Sequence, residues 1–284
     1  MDRILIVADS TSSMDNERAA KEGIELLSLS VIIDGVEYKD QIDISTGELY
    51  EQLKSGAVPS TSQPNTGYIM TKMQDWTEEG YDQIIVLCCS SDLSGTYSGV
   101  NLAKEQLEMD NITVIDTRTI GAPILDMAIT AKKMAVSGAS KDDIVAMVKH
   151  KMDHNFSFLY PENFKQLSRS GRLSTLAAGV AGMLKIKVLL ALKEDGTQID
   201  KFEMARTESK IMSSIRDHFA KIGVNGINYK IYLAHGNNSP LAKKFEEYLK
   251  LHFDNIETEI VELPAVLTSH AGLGSLAIQT IIKN

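Results

Sequence analysis

Residues 84–98, which read IIVLCCSSDLSGTYS, join an apolar run to a loop crowded with hydroxyl groups. The apolar run 84–89 predicts a buried strand. Apolar side chains recur at helical spacing just beyond the loop, which predicts a helix over 97–107. A loop between a strand and a helix start offers hydroxyl donors and free backbone N–H groups, where the helix dipole favours an anion. The alternative is that Ser94 or Thr96 only caps the helix.

The same alternation of short apolar strands and helices runs through the first half of the chain. It predicts a parallel sheet with helices on both faces, a three-layer α/β/α domain. The predicted strands are 3–8, 26–33, 84–89 and 112–115, and the predicted helices are 16–21, 46–54, 66–79, 97–107, 121–136 and 140–150. The loops that begin at Asp9, Ser90 and Asp116 follow strand ends, so we expect them to converge at one sheet edge, where ligands bind in such folds.

The second half mixes hairpin signals with helices and predicts an α+β domain with a mixed sheet. Asp195-Gly196 is a strong hairpin signal between two apolar runs. The predicted strands are 156–160, 185–193, 198–205, 229–234 and 258–261, and the predicted helices are 162–167, 175–184, 207–221, 240–252 and 275–283. We expect a loop over 268–274. We place the domain boundary near Asn155, which gives an N-terminal domain over 1–155 and a C-terminal domain over 156–284.

Composition excludes several classes of protein. With 43% hydrophobic residues the chain can bury a full core, and its net charge of −9 argues against a nucleic-acid partner. The two cysteines, Cys88 and Cys89, are neighbours that point to opposite faces of a strand, so neither a disulfide nor a metal site is expected. No leader precedes the first predicted strand, so we expect a cytoplasmic protein.

Four predicted loops carry hydroxyls, glycines and one histidine, at 9–13, 60–63, 90–96 and 269–274. None contains a dinucleotide, P-loop or lipase-elbow motif. Neutral hydroxyls and one histidine suit a single carboxylate or phosphate, which must find hydrogen-bond donors when buried. This favours binding of a small acid over chemistry on it. A hydrolase or acyltransferase with Ser94, His270 and Asp9 as its triad is the alternative.

Five motifs together resemble the DegV family, in the same order and over essentially the whole chain. They are DST at 9–11, TSQP at 61–64, SSDLSGTY at 90–97, SGR at 170–172 and SHAGLG at 269–274. The resemblance implies a bacterial carrier rather than an enzyme, with no metal or cofactor. Its ligand would be a long-chain fatty acid in a buried tunnel between the two domains. A partner kinase would convert the presented carboxylate into an acyl phosphate for phospholipid synthesis.

The resemblance also implies roles for individual residues. The carboxylate would be held by Thr61, Ser62, Ser94 and Gly95. His270 would support these residues directly or through water. Arg172 and Arg206 match basic positions implicated in engaging the kinase or the membrane.

A local basic excess accompanies these arginines, at Lys165, Arg169, Arg172, Lys185 and Lys187. We interpret it as a surface for an acidic partner or, transiently, for anionic lipid. The alternative is a solvated face. A sensor of some other amphiphile is a third functional hypothesis.

Overall fold

The computed structural model describes residues 2–162, 164–169, 171–174 and 186–283. Its strands are β1 (Ile4–Asp9), β2 (Glu25–Leu27), β3 (Ser30–Ile33), β4 (Val36–Lys39), β5 (Ser60–Ser62), β6 (Gln83–Cys88), β7 (Ile112–Asp116), β8 (Asn155–Tyr160), β9 (Lys187–Leu192), β10 (Ile199–Ala205), β11 (Tyr229–His235), β12 (Glu257–Glu262) and β13 (Leu276–Ile282). Its helices are α1 (Asn16–Glu22), α2 (Thr46–Lys54), α3 (Thr66–Glu78), α4 (Thr96–Gln106), α5 (Ala122–Val136), α6 (Lys141–Met152), α7 (Phe164–Ser168), α8 (Glu208–Lys221), α9 (Ser239–His252) and α10 (Ala265–Ala271).

Four strands form a parallel sheet in the order β2-β1-β6-β7. Side chains alternate between its faces, so Ile6 packs with α5 and α6 while Val7 packs with α3 and α4. Cys88 and Cys89 divide between the same two layers, and both are free and buried. The predicted three-layer arrangement is confirmed.

Six strands form a mixed sheet in the order β10-β9-β8-β13-β11-β12. Only β11 and β12 pair in parallel, and the other neighbours are antiparallel. Helices α8 and α9 bury their apolar faces against one side of this sheet, with Phe219 and Phe245 in the shared core. The α/β fold with a parallel and a mixed sheet is therefore confirmed, whereas the domain boundary near Asn155 stays a prediction.

Helix α5 connects the two sheets. It packs on β1 of the parallel sheet and on β13 of the mixed sheet, which explains why it is apolar around most of its circumference. Its one acid, Asp126, accepts hydrogen bonds from Lys151 Nζ at 2.9 Å and from the Tyr232 hydroxyl at 2.8 Å. These hydrogen bonds satisfy a carboxylate whose burial between the two sheets would otherwise be energetically unfavourable.

Two predictions in the first half need correction. The single strand predicted over 26–33 is two strands, β2 in the parallel sheet and β3 in a small antiparallel sheet of order β4-β3-β5. Pairing with β1 ends at Leu27. Two residues later, the Leu29 N–H donates instead to Ser10 Oγ at 3.1 Å. Residues 60–62, predicted as an extended loop, are extended but form strand β5 against β3.

The helix predicted over 275–283 is wrong, because this segment is strand β13. It pairs with β8 on one side and β11 on the other, and Leu276 to Ile281 are all buried. A short run buried on both faces lacks the alternation that marks a strand, so periodicity cannot distinguish it from a buried helix. The loop predicted over 268–274 is also partly wrong, since its first four residues belong to α10. His270 therefore lies in the last turn of a helix.

Some predictions fall on positions that the structure does not describe. The helix over 175–184, Ser170 of the SGR motif and Lys185 of the basic excess lie outside the described residues, as does the side chain of Lys165.

Candidate functional site

A cavity lies between the strand-end loops of the parallel sheet, strand β5, helix α10 and the inner face of the mixed sheet. Much of its wall is apolar, and these residues include Leu93, Leu159, Leu192, Ile199, Leu263, Leu267 and Ala277. Polar residues from four separate motifs line the same cavity, among them Thr61, Ser62, Gln63, Ser94, Arg172 and His270. A wall of this kind suits a ligand with a long apolar part and a polar group.

The strand-end loops converge as predicted. The Asp9 carboxylate accepts hydrogen bonds from the Cys89 N–H at 2.7 Å and from the Thr11 hydroxyl at 2.6 Å. Ser91 and Asp116 pair in the same region, with 2.6 Å between Ser91 Oγ and the carboxylate. Burial raises the pKa of Asp9, and these hydrogen bonds oppose the rise. Because its oxygens are engaged by neighbours, Asp9 holds the loops together.

Thr61 and His270 form the central polar contact of the site. Strand β5 carries Thr61 to the last turn of α10, where its Oγ1 lies 2.7 Å from His270 Nε2. Desolvation, with a smaller contribution from the nearby charge of Arg172, lowers the pKa of His270 to about 4. The imidazole is therefore neutral at pH 7. If its Nε2–H donates to Thr61, the Thr61 hydroxyl hydrogen is available for a ligand oxygen.

Ser94 and Gly95 lie at the start of α4 and line the same cavity as Thr61. Ser94 Oγ lies 2.9 Å from Thr96 Oγ1 and accepts a 3.3 Å hydrogen bond from the Thr96 N–H. The N-cap residue is Gly95, which makes no side-chain cap. The interpretation of Thr96 as a cap is therefore wrong, and Ser94 contacts the helix through Thr96, its first residue.

Gly95 is required by close packing and not by its backbone conformation. Its φ of −72° is accessible to any residue, but a Cβ at this position would lie 1.8 Å from Gln63 Oε1. The Gln63 side chain therefore lies directly against the start of α4. No local pattern indicates a role for Gln63, although it belongs to the TSQP motif that carries the resemblance.

The structure separates the two arginines predicted to engage a partner. Arg172 lines the cavity and donates from Nε to the Leu93 carbonyl at 3.3 Å, so it adds positive charge to a site predicted from neutral groups. Arg206 is exposed in a separate groove with Lys187 and Glu208. Their roles in partner binding stay predictions.

The structure does not form the hydrogen-bonded triad of Ser94, His270 and Asp9 that the hydrolase alternative requires. His270 pairs with Thr61 and not with Ser94, and the Asp9 carboxylate is engaged by Thr11 and Cys89. A catalytic triad needs these three side chains in one hydrogen-bonded chain. Within the described ranges, no group of three or more His, Cys, Asp or Glu residues is placed to hold a metal ion. None of the helices in the described part of the chain is long and apolar enough to cross a membrane.

Comparison with known proteins identifies the family. The sequence model of the DegV family, described as a family of uncharacterised proteins, matches residues 3–283. The chain belongs to the DegV family. A DegV domain-containing protein of Halalkalibacterium halodurans is 28% identical over 284 residues, covering all of both chains.

Solved DegV structures share the fold over the full length. DegV from Bacillus subtilis, described as a fatty acid binding protein, is 26% identical and superposes with a TM-score of 0.86, with 100% of both chains covered. A DegV family protein from Thermus thermophilus, described for its fatty acid binding, is 26% identical with a TM-score of 0.86, covering 99% of this chain and 100% of its own. A third solved DegV protein, from Thermotoga maritima, is described as a lipid binding protein.

Proposed function

We propose that this protein binds a long-chain fatty acid, with the acyl chain in the cavity and the carboxylate at Thr61, Ser62, Ser94 and Gly95. The observation that carries the proposal is the mixed character of one cavity, whose apolar wall meets the Thr61–His270 contact. The fatty-acid binding of the Bacillus subtilis and Thermus thermophilus relatives supports the same ligand class.

The polar groups are suited to a carboxylate. Ser62 Oγ has no hydrogen-bond partner among the described residues and lines the cavity, so its hydrogen is available to a ligand. Thr61 has the same capacity when His270 donates to it. Arg172 supplies the positive charge that offsets an anion in a desolvated site.

The acyl chain would supply most of the affinity. Burying about 14 methylenes at ~0.8 kcal/mol each contributes on the order of 11 kcal/mol before the costs of association. The hydroxyl groups then position the chain in the cavity, because a carboxylate displaced from them would be buried without donors.

The carboxylate end of the cavity lies near the surface. Gln63 and Gly95 are exposed although both line the cavity. This position supports the finer proposal that the protein presents the carboxylate to a partner kinase, which would form an acyl phosphate there. Exposed Arg206 is our candidate for contact with that kinase, and Arg172 lies at the boundary between the ligand and the surface.

Native mass spectrometry of the purified protein, with extraction of any bound ligand, tests the binding proposal. We expect a stoichiometric long-chain acid without any being added. A protein that is empty and takes up no added fatty acid would contradict the proposal. Hydrolysis of esters would then be the function to test. The Ser94→Ala variant separates the two functions, since it should weaken acid binding in a carrier and abolish ester turnover in a hydrolase.

A further inference from the structure

A second polar pair lines the cavity, formed by Ser157 of β8 and Gln279 of β13. The two residues are direct partners across the antiparallel strands. They are 6% and 2% exposed, respectively, and both border the cavity. Neither residue belongs to any of the five motifs that resemble the DegV family.

The pair lies on the mixed sheet, whereas the proposed carboxylate site lies on β5, at the start of α4 and at the end of α10. Ala277 precedes Gln279 by two residues on the same face of β13 and belongs to the apolar cluster that includes Ala271, the neighbour of His270. A strand advances about 3.4 Å per residue, so Gln279 lies roughly 7 Å beyond Ala277. We therefore expect an acid held at Thr61 to meet the Ser157–Gln279 pair partway along its acyl chain.

Gln279 is fixed by its hydrogen bonds. Its Oε1 accepts from the Ala122 N–H at 3.0 Å, and its Nε2 donates to the Ile120 carbonyl at 2.7 Å and to Ser157 Oγ at 2.8 Å. A backbone donor on one side and a backbone acceptor on the other leave only one orientation of the amide. Both amide hydrogens are used, whereas Oε1 keeps one lone pair.

Ser157 has the complementary capacity. Its Oγ accepts from Gln279 and donates to no acceptor among the described residues. Thr11, another polar residue of the cavity wall, already donates its hydroxyl hydrogen to Asp9. The middle of the cavity therefore holds one unused O–H donor beside one unused amide acceptor. A plain methylene chain would leave both unpaired, which is unfavourable for polar groups this deeply buried.

We propose that the cavity selects an acyl chain that carries a hydroxyl group partway along its length, so that the ligand is a hydroxy fatty acid. The ligand hydroxyl accepts from Ser157 Oγ and donates to Gln279 Oε1. A hydroxyl satisfies both groups, whereas a keto oxygen can only accept. This inference rests on the proposed fatty-acid function and specifies its ligand.

Competition binding with stearic acid and a series of hydroxystearic acids, hydroxylated at successive mid-chain carbons, tests the proposal. We expect one position to bind roughly fivefold to tenfold more tightly than stearic acid. Ser157→Ala should abolish this preference while stearic acid still binds, and Ser157→Thr, which keeps the hydroxyl, should retain it. Ser62→Ala should weaken both acids by the same factor, because it acts only on the carboxylate.

The outcomes distinguish this inference from the function on which it rests. If stearic acid binds but no hydroxyl position is preferred, or if the preference survives in Ser157→Ala, the inference is wrong and the carrier function stands. If neither acid binds, the proposed function itself is wrong.

Discussion

The hydroxyl oxygen of Thr61 lies 2.7 Å from Nε2 of His270, although 209 positions separate the two residues in the chain. Strand β5 and the last turn of α10 bring them together. The imidazole stays neutral at pH 7 because burial lowers its pKa to about 4. The pair therefore offers an uncharged, oriented hydrogen-bond donor beside a cationic arginine, which is an arrangement suited to holding a carboxylate.

The Thr61→Val variant tests this arrangement directly. Valine keeps the shape of threonine but removes the hydroxyl that we propose donates to the carboxylate. A hydrogen bond to a charged group contributes roughly 1.5–3 kcal/mol, so the dissociation constant for a long-chain acid should rise about 10- to 100-fold in calorimetric titration. Ser60→Ala, an exposed position of the same strand that does not line the cavity, is the matched control. Unchanged affinity in Thr61→Val would remove Thr61 from the site.

Gly95→Ala tests the packing of Gln63 on the helix start. The new methyl group would lie 1.8 Å from Gln63 Oε1, so the flexible glutamine must move away. Because only the end of an exposed side chain shifts, we expect unfolding free energy to fall by less than about 1 kcal/mol, with acid affinity several-fold weaker. In the double variant with Gln63→Ala the clash is absent, so Gly95→Ala should have little further effect. Equal losses with and without Gln63 would show that the clash is not the cause.

The buried carboxyl group of Asp40 should make the stability of the protein depend on pH. This carboxyl is fully buried, contacts the Val266 N–H at the start of α10, and has its pKa raised by burial to about 7 from 3.8. Between these values the folded state keeps a proton that the unfolded state has lost, so stability falls as pH rises from about 4 to about 7 and then levels off.

Asp40→Asn should remove that pH dependence, since asparagine mimics the protonated acid. Its unfolding free energy should match the parent near pH 4 and exceed it by about 4 kcal/mol at pH 8, measured by urea unfolding. Asp110→Asn, at an exposed turn, controls for the loss of a surface charge. A constant difference between Asp40→Asn and the parent across this range would contradict the prediction.

Lys151 contributes to the contact between the two sheets. Its side chain is 2% exposed, and its ammonium donates to Asp126 at 2.9 Å and to the Ile282 carbonyl at 2.8 Å. Lys151→Met leaves the Asp126 carboxylate without its cation and should cost about 3–5 kcal/mol of unfolding free energy. Adding Asp126→Leu should recover part of that loss, because no unpaired charge then remains. Additive losses in the double variant would show that the two residues act independently.

Arg206→Glu tests the proposed contact with a kinase. The residue is exposed and lies outside the fatty-acid cavity. Charge reversal should therefore leave acid affinity unchanged while acyl-phosphate formation with the partner kinase falls at least tenfold, measured by release of ADP. Lys243→Glu, an exposed position on α9, is the matched control. Full phosphorylation in Arg206→Glu would remove this residue from the partner surface.

The sequence by itself determined the features that depend on neighbouring residues. The Asp34-Gly35 turn forms with both φ angles positive, and Ser45 and Ser140 cap their helices as local patterns predict. The parallel sheet and its converging loops follow in the same way from alternating apolar segments. The resemblance to the DegV family supplied the site residues, and the structure brings Thr61 and His270 into contact.

Only the tertiary structure decided features that depend on distant partners. Strand β13 is a strand because β8 and β11 pair with both of its edges, which its own apolar pattern does not reveal. Other features also join segments far apart in the chain. Gln63 contacts Gly95, and Arg172 lines the cavity. Local propensity acts over a few residues, whereas strand pairing and cavity lining are selected by the burial and hydrogen bonding of the assembled chain.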